Sequence, residues 1–162
     1  MVIDLKTIKN SKDIKIIENK SFFIGIIKRI NSKEEINPIL ENIKNTYKDA
    51  THYTYAYKVN NEVKANDDNE PSKTAGMPIL EVLNKFGLDN CLLIVVRYFG
   101  GIKLGAGGLI RTYRKTAIET VKNAELIELE KGYIIKDVIY SLKKEGYLDT
   151  NKYERRRNLS IV

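Results

Sequence analysis

The sequence is poor in the residues that form covalent cross-links and metal centres. It has one cysteine, Cys91, which excludes an intramolecular disulfide and any cluster of several thiolates. It has one histidine, His52, which excludes a zinc site with several histidines. No apolar run approaches the roughly 20 residues that a membrane-spanning helix needs, and residues 1–6 do not resemble the start of a secretory signal. These absences predict a cytoplasmic protein with no metal, no cofactor and no membrane partner.

The composition is that of an ordinary globular protein with a surplus of positive charge. The chain has 162 residues, of which 43% are hydrophobic and 30% charged, and its formal net charge is +7. This length fits one domain, or one domain plus a small appendage. The charge indicates an anionic partner such as nucleic acid, the ribosome or a nucleotide, although a lysine-rich proteome gives basic proteins without one.

Alternating and continuous apolar patterns predict strands and helices over residues 1–125. Strands are expected within 1–31, over 51–59 and over 91–96, where Cys91 is expected to be a buried, inert thiol. Helices are expected after Ser32, after the polar loop 60–72 and after the glycine-rich segment 100–108. In the second helix, Ser72 or Thr74 is the expected N-cap.

The remaining residues, 126–162, are expected to form a shortened second segment. Residues 126–130 could add a strand, and apolar residues between 134 and 142 fit an amphipathic helix that ends at Gly146.

The strand over 51–59 places tyrosines on one face and His52 on the other. Tyr53, Tyr55 and Tyr57 alternate with smaller or polar residues. This face either packs beneath a helix or stacks on nucleic-acid bases. His52 has no titratable neighbour in the sequence, which favours a structural histidine over a catalytic one.

A strand, a glycine-rich turn and a helix form an arrangement that can present free backbone N–H groups to an anion. Seven of the ten glycines lie between residues 76 and 108. Gly105, Gly107 and Gly108 allow close approach to the backbone, and Lys103 and Arg111 add positive charge. The alternative is that these glycines only allow a tight turn and close helix packing. The segment matches neither a Walker A loop nor a dinucleotide fingerprint.

A second polar cluster precedes the middle helix. Glu70 is held extended by the following proline, and it could pair with Arg97 or Arg111 if the two loops meet at one edge of the sheet. No catalytic or metal-binding residue is assigned. The candidate residues for anion or nucleic-acid binding are Glu70, Ser72, Thr74, Arg97, Lys103, Gly105, Gly107, Gly108 and Arg111.

Two long segments resemble the signature of the IMPACT (imprinted and ancient) family. They are residues 70–80, EPSKTAGMPIL, and residues 95–113, VVRYFGGIKLGAGGLIRTY. Residues 20–24 and 49–52 are similar to two earlier blocks of that family. The resemblance implies an α/β (α+β) domain of the ribosomal-protein type, with a mixed sheet of about four strands and two helices on one face. It also implies a cytoplasmic protein connected to translation.

The family's eukaryotic member binds the activator of a stress kinase, and its bacterial members have been suspected of nucleic-acid binding. Bacterial members usually carry a complete ferredoxin-like second domain, for which the residues after Glu125 are too few. The predicted division is therefore a domain over 1–125 and a shortened or partial segment over 126–162.

Three functions remain open. The first is a non-enzymatic accessory of translation that contacts RNA, the ribosome or a translation factor through a basic surface. The second is a phosphate- or nucleotide-binding domain, with or without catalysis, whose anion lies at the Gly105–Arg111 helix start. The third is a protein-interaction module anchored by Tyr98 and Phe99, provided that both rings are exposed.

Overall fold

The computed structural model describes residues 5–129. It shows seven strands, three α-helices and one 3₁₀ turn within that range. The strands are β1 (Leu5–Asn10), β2 (Ile14–Glu18), β3 (Ser21–Arg29), β4 (His52–Val59), β5 (Glu62–Asn66), β6 (Cys91–Tyr98) and β7 (Glu125–Leu129). The helices are α1 (Ile36–Thr46), which follows a 3₁₀ turn at Lys33–Glu35, α2 (Gly76–Lys85) and α3 (Gly105–Lys122).

Five of the strands form one sheet in the order β2-β3-β6-β4-β5, and β1 pairs with β7 in a second, two-stranded sheet. The predicted α+β class is confirmed. The five-stranded sheet differs from the expected mixed, four-stranded one because every neighbouring pair is antiparallel. β3 and β4 run in the same direction, as a β-α-β unit requires, but β6 lies between them and opposes both.

Helices cover both faces of the five-stranded sheet. α2 and α3 pack on the face that carries Phe23, Ile27 and Leu93, so the prediction of two helices on one face is confirmed. α1 covers the opposite face, which carries Ile24, Ile26 and the tyrosine side of β4. Tyr57 is 9% exposed in that cluster, so this tyrosine face packs beneath a helix.

α3 approaches β3 most closely at Gly25. A Cβ atom at Gly25 would lie 1.8 Å from the Thr120 Oγ1 atom, so glycine is required for this approach. On the same face of α3, Thr112, Thr116 and Thr120 each donate a hydroxyl hydrogen bond to the carbonyl four residues earlier. The buried threonines thereby satisfy their polar groups within the helix.

The N-terminus of α2 is not capped by Ser72 or Thr74, and that prediction was wrong. The Thr74 hydroxyl donates instead to the Pro71 carbonyl at 2.6 Å. Asp67 Oδ1, from the preceding loop, accepts from the N–H groups of Gly76 at 2.8 Å and Ala75 at 3.2 Å. A carboxylate on the loop therefore satisfies the orphan donors of the helix.

The chain divides into one compact unit over Lys6–Ile127 and a second that takes Met1–Leu5 and Glu128–Val162. The strand expected near 126–130 is present as β7, whereas the helix expected over 134–142 lies outside the described residues. The boundary predicted at 125/126 stays a prediction. Within residues 5–129, no helix has the length and apolar character needed to cross a bilayer.

Candidate functional site

A buried carboxylate, Glu70, lies at the centre of a polar network between three elements. Arg97 Nη1, from β6, donates to both Glu70 oxygens at 2.8 and 2.9 Å. The Tyr113 hydroxyl, from α3, donates to Oε2 at 2.6 Å. His52 Nε2, from β4, lies 2.9 Å from Oε1. Glu70 is 7% exposed and Arg97 is 5% exposed, so the ion pair is sheltered from water.

The register of the sheet brings two of these side chains together. His52 and Arg97 are direct partners in the pairing of β4 with β6, so they share one face. Glu70 enters from the turn after β5, where Asp68 and Asn69 have φ values of +42° and +66°. This left-handed backbone turns the chain back toward the sheet, and Glu70 N donates to the Asp67 carbonyl at 2.9 Å.

The contacts to Glu70 leave its oxygens little capacity to accept a further hydrogen bond from a substrate. Its two oxygens receive four contacts from donors or from the His52 ring, which is about the full lone-pair capacity of a carboxylate. Burial, followed by the neighbouring Glu70 charge, raises the pKa of the Tyr113 hydroxyl, so tyrosine stays a donor. Glu70 is therefore placed to hold the loop and the sheet together.

His52 has an acceptor next to each ring nitrogen. Nδ1 lies 2.7 Å from the Asp68 carbonyl oxygen, and Nε2 faces Glu70. Both contacts are hydrogen bonds only when the imidazole carries two protons.

The Arg97 guanidinium lies between two aromatic rings. Its central carbon is 5.3 Å from the Phe23 ring centroid and 5.4 Å from that of Phe99, within the range of cation–π attraction. Nη2 reaches the Ser21 hydroxyl at 3.4 Å. Nε is buried and has no hydrogen-bond partner among the described residues.

A cavity of about 360 Å³ opens beside this network. The predicted residues Glu70, Arg97, Lys103 and Gly105 all line it, so the structure brings four of the nine candidates together. The other lining residues are Thr51, His52, Pro71, Phe99, Leu104, Ala106 and Leu109.

Two further candidates, Gly108 and Arg111, line a separate hollow of about 260 Å³ on α3. Lys115, Asn19 and an acidic residue, Glu18, also line it. The structure therefore pairs Glu70 with Arg97 and not with Arg111. The Arg111 side chain lies over the first turn of α3, with Nη1 3.3 Å from the position that a Cβ at Gly107 would take.

The last three candidates, Ser72, Thr74 and Gly107, line neither hollow. Ser72 is exposed, whereas Thr74 is 3% exposed and closes its own turn. Phe99, an anchor of the third hypothesis, is 46% exposed. Tyr98 is half-buried and donates through its hydroxyl to the Lys48 carbonyl at 2.8 Å.

Sequence reasoning left His52 and Tyr113 out of the site. The partner of His52 is 18 residues away along the chain, and only the β4–β6 register and the turn at Asp68 bring the two together. Tyr113 has the helical spacing of a core residue, and it is one, with its hydroxyl reaching the network. The available signal was that His52 lies within residues 49–52, a block similar to one of the IMPACT family.

The fold and this network define an α+β domain whose two signature segments meet around a buried glutamate–arginine pair. The family model for the Impact N-terminal domain matches residues 19–121. The chain belongs to the IMPACT family.

Several known proteins are similar to this chain. The IMPACT family member YvyE of Bacillus subtilis is 44% identical over 125 residues, which cover 75% of this chain and 58% of that protein. YigZ of Escherichia coli is 34% identical over 99 residues, covering 58% of this chain and 48% of that protein. A crystal structure described as a hypothetical protein superimposes with a TM-score of 0.74 at 26% identity, covering 79% of this chain and 65% of the other. The chain thus spans about half the length of these curated relatives.

Proposed function

We propose that this IMPACT-family chain is a non-enzymatic accessory of translation that binds RNA through the basic face of α3. The observation that carries the proposal is a row of three exposed cations, Arg111, Lys115 and Lys122. None of the three forms an ion pair with another residue of the 5–129 range. We name this row the basic stripe.

The helix geometry keeps the basic stripe in line. Its members are four and seven residues apart, so they project within about 40° of one another around the helix axis and span roughly 16 Å along it. The opposite face of α3 is buried against the sheet. Arg114, by contrast, faces α2 and pairs with Glu81 at 2.8 Å. The stripe therefore presents to an extended polyanion three cations that form no ion pair with another residue of the 5–129 range.

The start of α3 adds to this positive field. Its first turn has no acidic residue and no side-chain cap, so its free N–H groups and the positive end of the helix dipole are uncompensated. Arg111 lies over that same turn, where a cation is unfavourable unless an anion is bound nearby. The resemblance of the sequence to the IMPACT family supports translation as the setting, with RNA, the ribosome or a translation factor as the partner.

The test is the salt dependence of RNA binding by a charge-removed variant. Fluorescence anisotropy with a labelled single-stranded RNA would compare the wild type with Arg111→Gln/Lys115→Gln/Lys122→Gln. The slope of log K against log salt is expected to fall by about 2 in magnitude, since each phosphate contact on a single strand contributes roughly 0.7.

The matched control removes three other exposed lysines, in Lys48→Gln/Lys64→Gln/Lys85→Gln. It lowers the net charge equally and is expected to keep most of the slope. Equal losses in the two variants, or wild-type binding that does not weaken with salt, would contradict the proposal.

A phosphate or nucleotide ligand at the Gly105–Arg111 helix start is the second candidate function. It is supported by the hollow of about 260 Å³ that Gly108, Arg111 and Lys115 line on α3. A thermal shift with inorganic phosphate that disappears in Arg111→Ala is expected if Arg111 holds the anion. A shift that persists unchanged in that variant would remove Arg111 from the site.

A further inference from the structure

We infer that the cavity beside the start of α3 binds one nucleoside monophosphate unit, with its base on the Phe99 ring and its phosphate at the first turn of α3 beside Lys103. The inference rests on the proposed function, because the same cavity would accept one nucleotide of a bound RNA. A free nucleotide and a nucleotide within RNA share this chemistry.

Phe99 is suited to hold a base. It lines the cavity and is 46% exposed. The Arg97 guanidinium carbon lies 5.4 Å from its ring centroid, within the range of cation–π attraction, and Arg97 is itself held by Phe23 and Glu70. Exposed aromatic rings of this kind recognise the unstacked bases of single strands.

The first turn of α3 is suited to hold the phosphate. Gly105 has a φ of +73°, and nothing lies within 4 Å of the position that its Cβ would take. The space above this backbone is open, and Gly105 and Ala106 both line the cavity. Lys103 supplies an exposed cation at the rim. Backbone N–H groups at a helix start, together with a lysine, are a recurrent phosphate site.

The buried side of the cavity points independently to an anionic, hydrogen-bonding ligand. Arg97 is 5% exposed and lines the wall, and its Nε has no partner within the described residues. The charged residues that line the cavity are Arg97, Lys103 and Glu70, so cations outnumber carboxylates there by one. The protein therefore brings more positive charge and more donors to this wall than it neutralises itself.

The size and walls of the cavity select one nucleotide over smaller anions. A volume of about 360 Å³ lies at the small end of ligand pockets, which run from roughly 300 to 1,000 Å³. Pro71, Leu104 and Leu109 supply apolar wall, which contacts a base but adds nothing to the binding of an inorganic anion. A second nucleotide would have to lie outside, toward the basic stripe on the same helix.

The experiment titrates the full chain with the four ribonucleoside 5′-monophosphates and with ribose 5-phosphate by isothermal calorimetry. Phe99→Leu removes the ring and keeps apolar bulk, and Ile102→Val, at an exposed apolar residue that does not line the cavity, is the matched control. At least one nucleotide is expected to bind tenfold or more tightly than ribose 5-phosphate. Phe99→Leu is expected to weaken that nucleotide about tenfold and leave ribose 5-phosphate unchanged, and Ile102→Val to change neither.

A second arm separates this inference from the proposed function. If RNA binds with the expected salt slope but no nucleotide binds, and Phe99→Leu leaves RNA affinity unchanged, the cavity inference is overturned and the stripe proposal stands. If a nucleotide binds through Phe99 while loss of the basic stripe leaves RNA affinity unchanged, the stripe proposal fails and the cavity serves a free nucleotide. Binding of ribose 5-phosphate as tightly as any nucleotide would also overturn the inference.

Discussion

Replacing Glu70 with glutamine removes one negative charge from a site where two potential cations meet. The substitution keeps the shape of the side chain, so its effect measures charge and hydrogen bonding. Arg97, which is 5% exposed, then has no counter-charge. The amide nitrogen of the glutamine is also a hydrogen-bond donor, and it would face the N–H groups of Arg97 or the hydroxyl of Tyr113, which are donors too. Breaking a buried ion pair from one side costs about 3–5 kcal/mol.

Urea unfolding of the full chain measures this loss. With a slope of about 2 kcal/mol per molar urea, a typical value, the midpoint of Glu70→Gln is expected to fall by roughly 2 M. The control is Glu81→Gln, which removes the partner of Arg114 in an ion pair whose side chains are 54% and 43% exposed. Exposed pairs contribute about 0–1 kcal/mol, so the control is expected to shift the midpoint little.

A double variant tests whether the cost comes from the unpaired cation. Adding Arg97→Met to Glu70→Gln removes the buried charge and leaves an apolar side chain between Phe23 and Phe99. The double variant is expected to be more stable than Glu70→Gln alone, because apolar replacement of a buried pair is often neutral. Equal midpoints for Glu70→Gln and Glu81→Gln would refute the reasoning and show that water compensates Arg97 in solution.

Three further outcomes follow from the packing. Gly25→Ala is expected to destabilise the fold by about 1–3 kcal/mol or more through overpacking, since its Cβ would lie 1.8 Å from Thr120 Oγ1. Adding Thr120→Ala should recover part of this loss in urea unfolding. If the second substitution recovers nothing, the strain does not come from Thr120. Burial raises the pKa of Cys91 to about 12. At pH 8 a disulfide reagent should therefore label this thiol only when urea unfolds the chain. Fast labelling of the native protein would disprove the burial of Cys91. Asp67→Ala is expected to cost about 0.5–2 kcal/mol of stability in a thermal melt, because it removes the cap of α2. Asp67→Asn keeps an acceptor oxygen and should cost less. Equal losses in the two variants would show that the charge of Asp67 matters more than its hydrogen bond to the helix.

Local patterns predicted the elements well where one face of each is buried. The alternating tyrosines of β4 and the apolar run of β6 are strands, and Gly87, with a φ of +63°, ends α2 as expected. The antiparallel sheet was missed because the position of β6 between β3 and β4 depends on long-range pairing, which no local pattern encodes. The cap of α2 was missed for the same reason: Asp67 reaches the helix from nine residues away.

The glycine-rich segment shows why the structure brings only part of the predicted site together. The sequence left two roles open for the glycines of this segment, close packing and an open backbone that a ligand can approach. The structure gives different glycines different roles. A Cβ at Gly100 would lie 2.0 Å from the Lys20 carbonyl oxygen, so that glycine serves close packing, whereas Gly105 borders open space. The direction in which each residue faces depends on how the loop leaves β6, and spacing along the sequence does not contain that information.

The central position of β6 has a consequence for how the domain opens. β6 is hydrogen-bonded to β3 along one edge and to β4 along the other, and Cys91–Val96 are each 0% exposed. Each amide hydrogen that bonds within the sheet is covered by β3 or by β4, and each of those strands has a further neighbour of its own. Their exchange with deuterium should therefore report global unfolding, whereas the edge strands exchange through smaller openings. Because Arg97 belongs to this strand, the charged end of the cavity is anchored to the slowest-exchanging part of the chain.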